Sequence, residues 1–487
     1  MNRFRLHPAV FIGLIVALSV AMHARVFRLD LIGFHAWRQT ETQTVIDNFV
    51  RQDFNILNPR TNDLRFPGGI LRMEFPIMQW LFAAAYRISG VHGIALSRAL
   101  TFLLSALSAW GMHRLARRSL GDARVAGAVA WYWAFSPVLF YYAVNPLPDN
   151  FALCTAVWSM TCFWEWTSTG RERYLVASAA LLGLAAAAKL PFVLYASFPF
   201  TWILLEAARA RGRSVLRPIL AMGCYLVLLL PAAAWYVWVV PTWKGNGIVT
   251  GALDLQGMGL RDLLALAGYH LTSMLPENLL GYAAVPVFVA GCYYGCRGWR
   301  RRGIAFSALA VLGIGVLCYF LFELNMIGKM HDYYMMPFLP PLALILGYGA
   351  ARLWAGPAWG KRMVIVCLAL LPLTTSLRMR TRWNEASPGF NAGLWKYRAE
   401  LRAATPPAAR CIVGNDLSHY LWFYHLDRQG WAFAQDEISP TAARGMVEAG
   451  ARYLYTDSDA AERTLQPLED SLILRRGTIR VYRLRVP

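Results

Sequence analysis

Apolar runs of bilayer length recur through most of this chain, and they constrain its fold more than any motif does. A helix needs roughly 20 mostly apolar residues to cross a hydrocarbon core about 30 Å thick. Candidate spans fall at roughly 8–26, 93–113, 123–143, 148–167, 174–188, 191–208, 218–240, 280–297, 303–323, 334–354 and 362–377, about eleven in all. Of the 487 residues, 57% are hydrophobic and only 16% charged, less charge than a soluble domain carries. The expected fold is a polytopic α-helical membrane protein.

A net charge of +20 could point to nucleic acid. The basic residues instead follow the helices. With the N-terminus inside, short inner segments hold Arg3 and Arg5, then Arg114, Arg117 and Arg118, then Arg171 and Arg173. Arg209, Arg211, Arg213 and Arg217 follow, then Arg297 and Arg300 to Arg302, then Lys361 and Arg362. This is the positive-inside pattern. No nucleic-acid fold signature accompanies it, so no nucleic-acid partner is expected. Basic residues in the outer loops leave an anionic lipid or a phosphate-bearing partner open. The opening MNRFR and its apolar run read as a retained first helix, because Met22 fits the small-residue rule for signal cleavage poorly. The eight cysteines contain no CxxC pair and read as small buried hydrophobes.

The outer segments are then the long 27–92 loop, NPLPD, a break near Lys189, the 241–279 loop, ELNMIGKMHD, and everything after about residue 378. The break is physical. From Tyr174 to Glu206 the chain is almost continuously apolar, and one helix would run about 50 Å, too long for the core. Pro191 removes a backbone donor there. The stretch 1–377 is thus one membrane domain, and 378–487 is a small extracytoplasmic α/β domain. In the latter, ARCIVGND and ARYLYTD read as strands, LSHYLWFYHL and TAARGMVEAG as helices, and SLILRRGTIRVYRLR as a hairpin turning at Arg476–Gly477.

The unusual polar residues collect on the outer side. FHAWRQTETQTVIDNF follows Asp30 and packs His35, Trp37, Arg38 and Glu41 together. If helical, His35, Arg38 and Glu41 share a face. Val45, Ile46, Phe49, Val50 and Phe54 would form an apolar stripe, so the segment is expected to lie in the interface plane. LRMEFPIMQWLFAAAYRI reads as a second interfacial segment. Asp149 follows a very short outer loop and, taken alone, is an ordinary helix N-cap. Arg38 and Lys189 taken alone are snorkelling cations. His35 alone is a structural histidine, and Glu41 alone a solvated surface residue. Lys329, His331, Asp332, Tyr333 and Tyr334 enter the membrane together, and Lys329 and His331 suit a phosphate. The coincidence of carboxylates and cations on one side favours a functional reading. No P-loop, Rossmann fingerprint, HExxH or nucleophile elbow is present. A lipid-linked substrate fits: a carboxylate deprotonates an acceptor hydroxyl, and a fixed cation stabilises the departing phosphate.

These stretches resemble the C-type glycosyltransferase superfamily, in particular the branch of protein O-mannosyltransferases and lipid A aminoarabinose transferases. LPDNFALCTAVWSMTCFW is similar to the family's second acidic motif and puts Asp149 in the acidic position. AAAAKLPF is similar to its lysine segment and places Lys189. YYMMPFLPPLALILGYG resembles its late tyrosine- and proline-rich helix start, with Tyr333, Tyr334 and Pro337. The better-known members carry an Asp-Glu pair in the first loop. HAWRQTET instead resembles a bacterial subgroup with HxWRQx[DE]T, in which Glu41 is the acidic residue. The resemblance covers roughly residues 8–377 and also implies an outer C-terminal domain. It implies sugar transfer from a polyprenyl-phosphate donor, with inversion, at the outer face of a bacterial inner membrane, to a lipid, glycan or protein acceptor. Glu41 ranks first as base and Asp30 second, with Asp149 orienting the acceptor or assisting. Arg38 and His35 are expected on the phosphate, and Trp37 on the sugar or lipid face. Some relatives use a divalent metal and others none, and no compact carboxylate cluster here demands one. Three other readings compete: a transporter or flippase, for which Lys189 speaks; a membrane scaffold; and a surface-glycan polymerase or ligase.

Overall fold

The structure is a computed structural model describing residues 7–209, 216–243, 259–297, 303–323, 331–434 and 437–485. It divides into two compact units. The first comprises Met1–Phe27, Met73–Met78 and Arg98–Met379; the second comprises Arg28–Arg72, Gln79–Ser97 and Arg380–Pro487.

The first unit is helical. Among the described residues, six helical segments are long and apolar enough to cross a membrane: Ile94–Leu120, Leu190–Arg209, Leu216–Thr242, Ile304–Phe322, Asp332–Ala355 and Ala358–Trp383. A seventh span is available if Leu260–Leu280 and Tyr282–Arg297, bent by 98°, act as one. This multi-pass architecture leaves apolar side chains such as Ile219, Leu220, Val227 and Val237 exposed along one helix, which lipid solvates and water does not. The other expected spans are helical but differ from that class. Pro8–His23 has 16 residues and Glu172–Ala188 has 17. The 123–143 run breaks at Ser136–Pro137 into Ala123–Phe135 and Pro137–Tyr142. Pro148–Thr169 is long enough but carries Asp149, Asn150 and Glu165. Length and composition therefore support six or seven apolar spans, and the expected eleven rests on these further helices. The expected 241–279 loop needs correction over its second half, where LRDLLALAGYHLTSMLPENLL is helical and turns at Gly281; residues 244–258 lie outside the described residues.

Small residues set the helix packing. A Cβ on Gly291 would sit 2.1 Å from the Ile345 carbonyl oxygen, and one on Gly349 would sit 2.1 Å from that of Val287. Helices Val285–Arg297 and Leu339–Ala355 thus touch backbone to backbone, the packing that membrane helices use when apolar burial supplies no preference.

The second unit carries a five-stranded sheet: β1 (Arg410–Gly414), β2 (Gln429–Phe433), β3 (Ala451–Thr456), β4 (Glu469–Arg476) and β5 (Ile479–Leu484), in the order β2-β1-β3-β5-β4. β1 pairs parallel with β2 and β3, and β5 pairs antiparallel with β3 and β4. Alternation along β1 splits the core. Cys411 and Val413 pack with Trp422, Phe423 and Leu426 on one face, while Ile412 packs with Trp431, Ala443 and Val447 on the other. The strands, helices and hairpin read from the sequence are all present. β2 is an addition, hidden because QGWAF has a glycine where a strand wants a side chain. That glycine is required: a Cβ on Gly430 would lie 1.7 Å from the Cys411 carbonyl oxygen. The first-loop segment joins at this edge. Leu64 N–H donates to the Gly430 carbonyl at 2.7 Å, and Gly430 N–H donates to Asn62 at 3.1 Å.

His425 lies in this unit, fully buried and 4.7 Å from the Phe390 ring. Burial pushes its pKa down from 6.5 to about 4, although the Asp30 charge opposes this. Its contribution to stability is therefore complete above pH 6.5 and is lost as the pH falls toward 4, where only the unfolded chain takes up the proton. The loss amounts to at most about 3 kcal/mol. Hydrogen-exchange protection factors over β1 and β2, taken against the intrinsic rate at each pH, should fall between pH 7 and pH 5 in the wild type and change less in His425→Phe.

Candidate active site

The sequence-predicted residues divide between the two units. In the first, the helix break at Lys189 organises the cluster. Helix Glu172–Ala188 ends there, and Lys189 takes an extended conformation before the turn Leu190–Ala196, whose second residue is Pro191. A break inside an apolar bundle frees carbonyls that must find donors. The Ala187 carbonyl takes two, from Phe75 N–H at 3.0 Å and the Tyr236 hydroxyl at 3.1 Å. The Lys189 side chain turns inward, 12% exposed, and its Nζ lies 3.8 Å from Asp149 Oδ2. Among the described residues that oxygen is buried without a hydrogen bond of its own, and the ammonium is its counter-charge. Asp149 occupies the first turn of Pro148–Thr169, where the helix dipole also favours a carboxylate.

Two tyrosines close over the lysine. Nζ is 5.0 Å from the Tyr334 ring centroid and 5.8 Å from that of Tyr333. The segment carrying them is tied down on both sides: the Tyr142 hydroxyl donates to Asp332 Oδ1 at 2.6 Å, and His331 Nδ1 is 3.3 Å from the Tyr333 hydroxyl. Lys329 lies outside the described residues. Glu323, at the end of Ile304–Phe322, is buried within the electrostatic reach of Lys189. The sequence reading passed over it, although it opens the ELNMIGKMHD stretch.

In the second unit, Arg38 and Glu41 form an ion pair at i,i+3 with both side chains almost wholly buried. His35 departs from the expected face: helix Ala36–Arg51 begins one residue later, and His35 takes a left-handed conformation at φ 55°. Trp37 is half-buried, and its carbonyl accepts from Thr40 Oγ1 at 2.9 Å. The expected interfacial helix is also corrected. Most of Ala36–Arg51 is buried, polar residues included, so no single apolar stripe faces a membrane. Several of its polar side chains are hydrogen-bonded internally, as in the bonds from Gln43 Nε2 to Asp47 at 2.9 Å and to the Tyr86 hydroxyl at 3.1 Å, while the Gln43 side-chain oxygen is buried with no partner among the described residues.

The C-terminal chain reaches this helix. The Tyr424 hydroxyl donates to Asp30 Oδ1 at 2.6 Å. Burial pushes the Asp30 carboxyl up, but that bond, the Leu31 N–H and the charges of His425 and Arg402 more than offset it and hold the group below its ordinary value. The Tyr420 hydroxyl is buried with no hydrogen-bond partner among the described residues. Burial first, then the charges of Glu41 and Asp63, push its pKa up, so it remains a donor at neutral pH. No sequence signal marked Tyr420 or Tyr424, because Glu41, whose charge acts on the first, and Asp30, which accepts from the second, lie nearly 400 residues away. Among the described residues, no three His, Cys, Asp or Glu side chains gather as a metal-binding group.

Chemically, the first unit offers an enclosed ammonium with a carboxylate and two phenols, and the second a guanidinium–carboxylate pair beside a buried phenol. Residues 74–238, which include Asp149 and Lys189, match the dolichyl-phosphate-mannose-protein mannosyltransferase family. The chain's fold is similar to that of ArnT from Cupriavidus metallidurans in the apo state, at 14% identity and a TM-score of 0.67, over 98% of each chain. The same protein bound to undecaprenyl phosphate matches at 14% identity and a TM-score of 0.65, over 98% of this chain and 97% of that one. The archaeal oligosaccharyltransferase AglB from Archaeoglobus fulgidus, in complex with an inhibitory peptide and a dolichol-phosphate, matches at 14% identity and a TM-score of 0.58, over 92% and 69%. At these identities the solved structures speak to the fold. No curated protein matches the sequence significantly. Lys189→Met should lower the thermal midpoint markedly, since removing one partner of a buried ion pair costs roughly 3–5 kcal/mol. The double variant Lys189→Met/Asp149→Asn should recover part of that loss, measured by thermal unfolding in detergent.

Proposed function

We propose that the chain is a C-type membrane glycosyltransferase that moves a sugar from a polyprenyl-phosphate donor to an acceptor hydroxyl, with inversion, at the outer face of a bacterial inner membrane. The observation that carries this reading is the enclosed Lys189 ammonium, held between Asp149 and the rings of Tyr333 and Tyr334. A cation on a rigid helix break is suited to a phosphate that gains charge as the sugar leaves. The relatives solved with undecaprenyl phosphate and with a dolichol-phosphate support a lipid-phosphate donor. The basic inner segments of the sequence support the orientation.

In the reaction, the acceptor oxygen attacks the anomeric carbon as the carbon–oxygen bond to phosphate breaks. Glu41 takes the acceptor's proton, and the polyprenyl phosphate leaves with the electron pair. Arg38 holds Glu41 in place and, with His35, meets phosphate oxygens; Trp37 covers the sugar or lipid. Asp30, kept ionised by its Tyr424 bond, is the second candidate base. Asp149 orients the acceptor.

Purified protein incubated with radiolabelled polyprenyl-phosphate sugars and host membranes should release or transfer label with one donor of the panel. Glu41→Gln should lower that turnover by about 10²–10⁴-fold, the usual contribution of a general base. Full activity in both Glu41→Gln and Asp30→Asn would overturn the base assignment. Movement of an anionic substrate into liposomes without sugar transfer would favour the transporter.

A further inference from the structure

Away from Asp149 and Lys189, the first unit holds two adjoining cavities that no step above uses. Glu165 marks the place. It lies on the same helix as Asp149, 16 residues on, which is about 24 Å along the axis. A chamber of about 420 Å³ is lined by Glu165, Arg114, Arg117, Arg118 and His113. A groove of about 890 Å³ continues from it, sharing Pro8, His113, Arg117 and Gly121. Arg124 and Asp122 stand at the groove's rim, and its walls are apolar, from Phe11, Trp131, Val364 and Leu368. Small residues such as Gly127, Ala128 and Ala369 leave it open. The Trp131 indole is fixed by its bond to the Leu368 carbonyl at 2.8 Å, so the wall is built rather than loose.

The charges are unequal. Arg118 holds Glu165 through two bonds, at 3.1 and 2.9 Å, and Arg114 adds a third at 3.1 Å, which neutralises that carboxylate. Arg124 lies 3.7 Å from Asp122, with both side chains exposed. Arg117 makes no ion pair among the described residues and is common to both cavities. Four arginines thus face two carboxylates, around a polar chamber that opens into an apolar channel between helices. That shape matches an amphiphile with an anionic head.

We propose that the chamber and groove bind an anionic phospholipid, its phosphate at Arg117 and Arg124 and its acyl chains along the groove. Basic pockets between membrane helices recognise anionic headgroups in this way. The site is separate from the donor site, because it lies at the other end of the Pro148–Thr169 helix. On the proposed orientation it faces the inner leaflet. It depends on neither the base nor the donor assigned above.

The test uses full-length protein in neutral detergent, titrated separately with phosphatidylglycerol, phosphatidylcholine and inorganic phosphate, with bound lipid counted by native mass spectrometry. Inorganic phosphate is added as a competitor. Phosphatidylglycerol should bind selectively. Arg117→Gln and Arg124→Gln, both at exposed positions, should each weaken it about fivefold. Ala369→Trp, which fills the groove without touching a charge, should weaken it as well. Equal binding of the two lipids, unchanged affinity in the three variants, or displacement of the lipid by inorganic phosphate at comparable concentration would overturn the proposal.

Discussion

A charge inside a low-dielectric helical bundle persists only where a partner meets it, and the Lys189–Asp149 pair is the constraint around which the first unit is arranged. To bring the ammonium inward, the chain interrupts an otherwise continuous apolar helix. The interruption then exposes backbone carbonyls, and Phe75 and Tyr236 supply the donors they need. Glu323, Tyr333 and Tyr334 complete the enclosure. The cluster is held by the Lys189–Asp149 ion pair, with the tyrosine rings beside the ammonium and Glu323 within its electrostatic reach.

The second unit solves a related problem with different means. Its first-loop helix is rich in buried polar groups, and it is kept in place by hydrogen bonds rather than by an apolar stripe. The C-terminal chain is part of that solution. It supplies Tyr424 to Asp30, buries Tyr420 near Glu41, and offers the β2 edge at Gly430 to residues 62–64. The α/β portion therefore does more than follow the membrane helices. It orders the segment in which the candidate base lies, and a substitution in one can act through the other.

The arginine-lined chamber at Glu165 shows the same economy of charge. Two arginines neutralise one buried carboxylate, and the surplus is left facing an apolar groove. Basic residues that read in sequence only as topological markers thus acquire a second physical role once the helices are packed.

Much of this was legible in the residues alone. Run length and the placement of arginines determined a multi-pass helical protein, because hydrocarbon thickness and backbone hydrogen bonding admit few alternatives. Pro191 after an unbroken apolar stretch located the break at Lys189, and period-two patterning located most of the C-terminal strands. Other features needed the tertiary structure. β2 was invisible because Gly430 serves a contact with Cys411, not a local preference. Helix Ala36–Arg51 looked interfacial because periodicity reports one helix's faces and not what covers them. The partnerships of Asp149 with Lys189, Asp30 with Tyr424 and Arg114 and Arg118 with Glu165 join residues from roughly 40 to nearly 400 positions apart. Local pattern carries no record of such distances, so only the packing of the chain decides which charge meets which.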